Sequence, residues 1–193
     1  MVCEDFEEHS IKMEKIETDL MKIKKISEEK AEENWAFRAY LKECDMSLEE
    51  IDAIVHRLYK EISSKIDCNA CANCCKEIKP VLDNEDIEKL SEGLGMSTAV
   101  FKEEFLVEDE DGFKFKMMPC PFLKNNSCSV HAYRPKDCRS YPHLHKEDFV
   151  FRLMSVIANC SVCPIVFNVY EALKEELWHK DSLNFGEWLN EEW

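Results

Sequence analysis

The chain has 193 residues, a formal net charge of −15 and eleven cysteines. That length gives one domain, or one domain with a helical appendage, and enough residues for a real hydrophobic core. The charge excludes general nucleic-acid binding, because phosphates repel such a surface. No stretch has the length and apolarity of a membrane span. Residues 1–8 carry neither the basic nor the apolar region of a signal peptide. A cytoplasmic setting is therefore expected, where thiols stay reduced and clustered cysteines mean metal or redox chemistry rather than disulfides.

Residues 10–44 read as helix. Ile16, Leu20, Ile23 and Ile26 recur at steps of three and four, and Trp35, Ala39 and Cys44 continue the apolar stripe after a break near Ser27. The stripe suits packing on the chain's own core, with a protein partner as its second use. Ser47-Leu48-Glu49-Glu50 is a capping box. The helix it opens carries Leu48, Ile51, Ile54, Val55, Leu58 and Ile62, and delivers the chain to Cys68. Asp83 caps a helix from residue 84 to about 91 that ends near Gly93 and Gly95. Ser97 caps a short helix expected to bury Val100, Phe101, Phe105 and Leu106. Residues 108–112 are a turn. Phe113-Lys114-Phe115-Lys116-Met117 alternates as a strand, and residues 149–153 form a second strand candidate to pair with it. An amphipathic helix from about 166 to 178 and a tail with Trp188 and Trp193 close the chain. The expected class is mainly α, or α+β with a small antiparallel ribbon, around an irregular cysteine-lined metal centre. Residues 1–66 form a helical region and 67–165 the metal-binding domain. Residues 166–193 form a final helix and tail packed on that domain.

The densest signal is Cys68-Asn-Ala-Cys71-Ala-Asn-Cys74-Cys75. Thiolates are soft anionic ligands, and two intervening residues let consecutive sulfurs converge. Three cysteines at this spacing hold three corners of a [4Fe–4S] cluster in bacterial ferredoxins, with the fourth ligand remote in sequence. Cys120, Cys128, Cys138, Cys160 and Cys163 are the further metal candidates. Nine exceed the four that one cluster needs. A cluster with a second zinc or iron site, two tetrathiolate zinc ions, or one site with spare cysteines all satisfy the count. Adjacent Cys74 and Cys75 project in different directions, so the doublet can divide between two centres, or between a ligand and a supporting residue behind it. The triplet and Cys163-Pro164 favour iron–sulfur. The Cys68-x2-Cys71 and Cys160-x2-Cys163 pairs suit a tetrahedral zinc site. The [4Fe–4S] cluster is preferred and Zn2+ is the alternative.

Residues 113–152 hold eight basic side chains against three acidic ones, a local +5 that leaves −20 for the remainder. Within this segment Arg134 and Arg139 flank Cys138. They are expected behind the ligands, offsetting thiolate charge or holding an anion. His131, His143 and His145 are read as surface or supporting residues, and Cys44 as a buried thiol. Cys3 lies outside the motif. The glycines (Gly93, Gly95, Gly112, Gly186) form no nucleotide-binding loop, so a Rossmann-type methyltransferase within this chain is not expected. No catalytic residue emerges.

The order of motifs is specific. Cys68-x2-Cys71-x2-Cys74-Cys75 is followed by Cys120-Pro121-Phe122-Leu123 and Cys128-Ser129-Val130-His131. Arg134-Pro135-x2-Cys138-Arg139-x-Tyr141-Pro142 and Cys163-Pro164 come next. This order resembles the CxxCxxCC family of zinc- or iron-chelating domains, also called the YkgJ family, from Cys68 to Pro164. The resemblance implies a metal-binding domain. Flagellin lysine N-methylases carry a similar cysteine domain, which by analogy admits S-adenosylmethionine-dependent protein methylation, although no motif here supports binding of that cofactor.

Overall fold

A computed structural model of the protein describes residues 16–178. Residues 10–15, Cys3, Trp188 and Trp193 lie outside that range. The fold is mainly α with small antiparallel sheets. The expected first helix is two helices, α1 (Leu20–Glu29) and α2 (Ala31–Glu43), and the break falls at Lys30 rather than near Ser27. Asp19 starts α1 by accepting the amides of Met21 and Lys22 at 3.0 and 3.3 Å. The capping box opens α3 (Leu48–Ser63): Ser47 Oγ accepts the Glu50 amide at 3.2 Å, and Glu50 Oε2 accepts the Ser47 amide at 2.8 Å.

The middle of the chain is built from short elements. Two four-residue helices, α4 (Cys68–Cys71) and α5 (Cys74–Glu77), precede β1 (Val81–Leu82). Asp83 caps α6 (Asn84–Leu94), which closes on Gly95 in the left-handed conformation. Then come α7 (Thr98–Phe105), β2 (Leu106–Asp109) and β3 (Gly112–Phe115). The first sheet has the order β1-β3-β2, with Leu106 opposite Phe115. A second ribbon joins β4 (Leu123–Lys124) to β5 (Ser127–Cys128). A 3-10 turn at His131–Tyr133 leads to α8 (Lys136–Ser140). A further 3-10 turn, Phe149–Arg152, runs into α9 (Leu153–Cys160), and α10 (Pro164–Leu177) ends the described chain.

Two expectations are corrected here. Residues 149–153 are not a strand, and the strand at Phe113 pairs with β2 and β1 instead. The cause is local hydrogen bonding that alternation does not reveal. Asp52, itself buried on α3, accepts the amides of Asp148 at 2.7 Å and Phe149 at 2.9 Å. Arg152 donates to the carbonyls of His143 at 2.5 Å and Glu147 at 2.8 Å, and also to that of Lys146. These bonds wind the segment into a 3-10 turn that buries Phe149 and Val150 together. The second correction is Val100, which is exposed, while Leu106 belongs to β2 rather than to the preceding helix.

Two hydrophobic clusters result. The larger joins α2, α3, the Phe149 turn, α9 and α10. The α3 face of Ile51, Val55, Leu58 and Ile62 is at most 1% exposed, and each such side chain contributes about 1.5–3 kcal/mol of burial. Phe37 of α2 sits edge-on to Tyr170 at 5.3 Å. From α2, Phe37 and Leu41 pack on the chain's own core, whereas Trp35 and Ala39 of the expected stripe are exposed. Lys174 is fully buried in this cluster, yet satisfied: its Nζ meets Glu33 Oε1 and Glu171 Oε1 at 2.5 Å and Asn34 Oδ1 at 3.0 Å. The smaller cluster holds Leu82, Ile87, Leu90, Phe101, Phe115, Phe122 and Val130 between α6, α7 and the sheets.

Candidate metal centre

The cysteines stand on short, separately anchored pieces of chain. Asp67 caps α4 by accepting the amides of Asn69 and Ala70 at 2.9 and 3.3 Å. Ala72, in the left-handed conformation at φ 47°, ends α4 and turns the chain toward α5. Asn73 Nδ2 then donates to the Val162 carbonyl at 2.8 Å, holding this loop against the start of α10. The Cys120 amide donates to the Cys75 carbonyl at 2.8 Å. Cys120 and Cys128 bracket the β4–β5 hairpin, whose tight turn is Asn125-Asn126, both with positive φ. Asparagine tolerates that conformation, and the Asn-Asn pair is the signal by which this hairpin could have been read. Cys138 sits on α8, which the buried Asp86 fixes by accepting the Lys136 amide at 2.9 Å. Cys163 is the residue before Pro164, the first residue of α10.

These pieces surround one cavity of about 180 Å³. Cys68, Cys71, Cys74, Cys75, Cys120, Cys128, Cys138 and Cys163 all line it. Phe115, Phe122 and Val130 of the smaller cluster face it, as does Ile165 of the larger, so it lies where the two cores meet. Cys160 is absent from this lining. It is 2% exposed and belongs to the helical cluster, where burial holds its thiol strongly toward the neutral form.

The cavity also contains the candidate arginine. Arg134 lines it, its Nε is buried without a protein partner, and its charge favours the Cys75 thiolate. Arg139 is exposed and braces the wall, its Nη1 donating to the Arg134 carbonyl at 2.6 Å. His131 also lines the cavity. His143 and His145 do not line the cavity. His143 Nε2 lies 3.1 Å from Asp137 Oδ1, and His145 Nε2 lies 3.3 Å from Ser140 Oγ. Tyr141 stands in the Arg134-Pro135 string, where spacing alone gives it no role. It lines the cavity beside Cys163, with its hydroxyl 3.3 Å from Asn159 Oδ1.

A side-chain hydrogen bond between Cys74 and Cys75 holds the Cys75 thiol low and the Cys74 thiol high, and burial adds to the rise of Cys74. Burial pushes Cys138 up to about 12, and the neighbouring Cys120 and Cys75 thiols add to the rise. Burial likewise pushes Cys163 up to about 11, against the pull of the Val166 and Ile165 amides and the Tyr141 hydroxyl. Cys120 and Cys68 are raised chiefly by burial.

Among the described residues, no three His, Cys, Asp or Glu side chains are gathered closely enough to hold a metal ion as they stand. The donor set nevertheless fits a thiophilic metal. Eight soft donors share one cavity, and rotation of cysteine χ1 between staggered wells swings sulfur without moving backbone. Asp137 is the one carboxylate in the lining, and it is committed to His143, which draws its carboxyl below the usual range.

The fold and cavity define a helical domain with a shared cysteine centre. The chain belongs to the CxxCxxCC family, whose model matches residues 67–164, about half its length, and is described as a "Putative zinc- or iron-chelating domain". No curated protein and no solved structure matches the chain. No helix among the described residues is long and apolar enough to cross a membrane.

Proposed function

We propose that this domain carries a [4Fe–4S] centre and serves electron transfer or supports a protein-modifying reaction. One observation carries the reading: the ferredoxin-like triplet Cys68, Cys71 and Cys74 shares a cavity with Cys163, the remote cysteine followed by proline. These four are the ligands of the reading. Cys160, sealed in the helical core, has no part in it.

When bound, such a centre supplies one-electron chemistry. The chain's own residues supply its surroundings. Phe115, Phe122 and Ile165 give the cavity apolar walls. The Ile165 and Val166 amides and the Tyr141 hydroxyl favour the charged form of Cys163. Hydrogen bonds to sulfur and exclusion of solvent are the protein's main means of setting a cluster's potential. Arg134 offsets part of the thiolate charge. A protein partner would meet the outer faces of the N-terminal helices, where Met21 and Trp35 are the large exposed apolar side chains.

An anaerobic redox titration of the purified chain, followed by visible absorption, tests this reading. Reversible bleaching that Cys71→Ser abolishes is the expected result. A colourless protein with no couple would leave a zinc-stabilised domain without redox chemistry.

A further inference from the structure

The cavity contains twice the thiols that the proposed centre uses. The four left over are Cys75, Cys120, Cys128 and Cys138. They adjoin one another, and they meet the first four at Cys74. The Cys120 amide donates to the Cys75 carbonyl at 2.8 Å, which brings the second doublet cysteine to the foot of the hairpin. In that hairpin the Leu123 amide donates to the Cys120 carbonyl at 3.0 Å, and Leu123 is also paired with Cys128. Both hairpin cysteines therefore lie at the same open end. Cys138 has Cys120, Cys75 and Cys128 beside it, with Cys74 as its neighbour from the first four.

The first four are tied together separately. Asn73 Nδ2 bonds the Val162 carbonyl at 2.8 Å, setting the turn between Cys71 and Cys74 against the residue before Cys163. Cys68 and Cys163 face each other electrostatically, and both face Tyr59. Cys74 and Cys75 begin α5, where consecutive side chains diverge by about 100° around the helix axis. Their thiols meet in a hydrogen bond, which rotation about χ1 opens when one doublet serves both groups.

We propose that the cavity holds two four-thiol centres divided at the doublet. Cys68, Cys71, Cys74 and Cys163 form one, and Cys75, Cys120, Cys128 and Cys138 form the other. The second takes a single thiolate-preferring divalent ion, for which Zn2+ is the probe. It deepens the reading above, on which the choice of cluster for the first centre rests. Four thiolates around a divalent ion leave a net charge of −2, and Arg134 stands on the Cys75 side to offset it. The ion would clamp the hairpin and α8 onto the cysteine loop, adding to the Asp86–Lys136 and Cys75–Cys120 hydrogen bonds already there.

The test counts metal in the full-length chain. Metal-free, reduced protein is titrated with Zn2+ and weighed by native mass spectrometry. The wild type is expected to bind two ions. The Cys68→Ser/Cys71→Ser and Cys120→Ser/Cys128→Ser pairs are each expected to bind one, a twofold fall. Cys160→Ser, outside both groups, is expected to keep two. One ion on the wild type, or loss of both ions from either double variant, overturns the division. The wild-type count needs no variant to fold. Iron and sulfide in the same proteins as isolated are measured separately. Their absence would defeat the cluster reading while the zinc counts still decide the division.

Discussion

Cys160 and Cys163 differ by three positions, and the structure assigns them opposite fates. Cys160→Ala removes one sulfur from a site 2% exposed in the helical core. The loss is comparable to an Ile→Val truncation, about 0.5–1.5 kcal/mol. At about 2–4 °C per kcal/mol for a chain of this size, that lowers Tm by about 1–6 °C. Metal content should be unchanged, because Cys160 does not line the cavity. Cys163→Ala removes a sulfur of similar burial, 7% exposed, and costs about the same in metal-free protein. In metal-loaded protein it should cost more and release metal, because binding free energy is folding free energy. The assay is thermal unfolding by circular dichroism with metal analysis of each sample, before and after chelation. Metal loss from Cys160→Ala, or full retention by Cys163→Ala, would refute the assignment.

Asp52→Ala should destabilise the chain by about 3 kcal/mol in urea unfolding, since two backbone amides lose a charged, buried acceptor. A change under 1 kcal/mol would mean that the Phe149 turn does not depend on it. Gly93→Ala gains helix propensity on α6, but its new Cβ would fall 2.4–2.7 Å from Tyr133 ring carbons. Overpacking of this kind costs about 1–3 kcal/mol, so thermal unfolding should show a net loss. A gain would show that the ring swings aside freely. For metal-free, reduced protein, the raised thiols fix the sign of the pH dependence. Cys138 at about 12 and Cys163 at about 11 hold their protons in the folded state, while an unfolded thiol loses its proton near 9.0. Stability from these groups is complete below pH 9 and falls as pH rises toward 11–12, by up to about 1.4 kcal/mol per pH unit per thiol. The urea midpoint should therefore drop between pH 8 and pH 10, and a rise would contradict the burial argument.

The helices were legible because their signals are local. The Ser47 box, the Asp83 and Ser97 caps, and the apolar spacing of α3 each specify their own element. The cysteine motifs marked the ligand-bearing loops for the same reason. What sequence could not supply was the bonding between distant segments. Asp52 lies 97 positions from Phe149, and its carboxylate turned an alternating pattern into a 3-10 turn. The separation of Cys160 from Cys163 is also tertiary. Both fit a CxxC pair, but α9 points one into the helical core while the other begins α10 at the cavity wall. Lys174 reads as a surface charge, yet Glu33, Asn34 and Glu171 receive it in the interior.

The most direct test of the account is elemental. Protein purified without oxygen would be analysed for iron, acid-labile sulfide and zinc, with a visible spectrum of the same sample. The account predicts a coloured protein with about four iron and four sulfide per chain, as one [4Fe–4S] cluster requires, together with one zinc. A colourless chain with zinc alone would contradict it and leave the cysteine cavity a structural clamp.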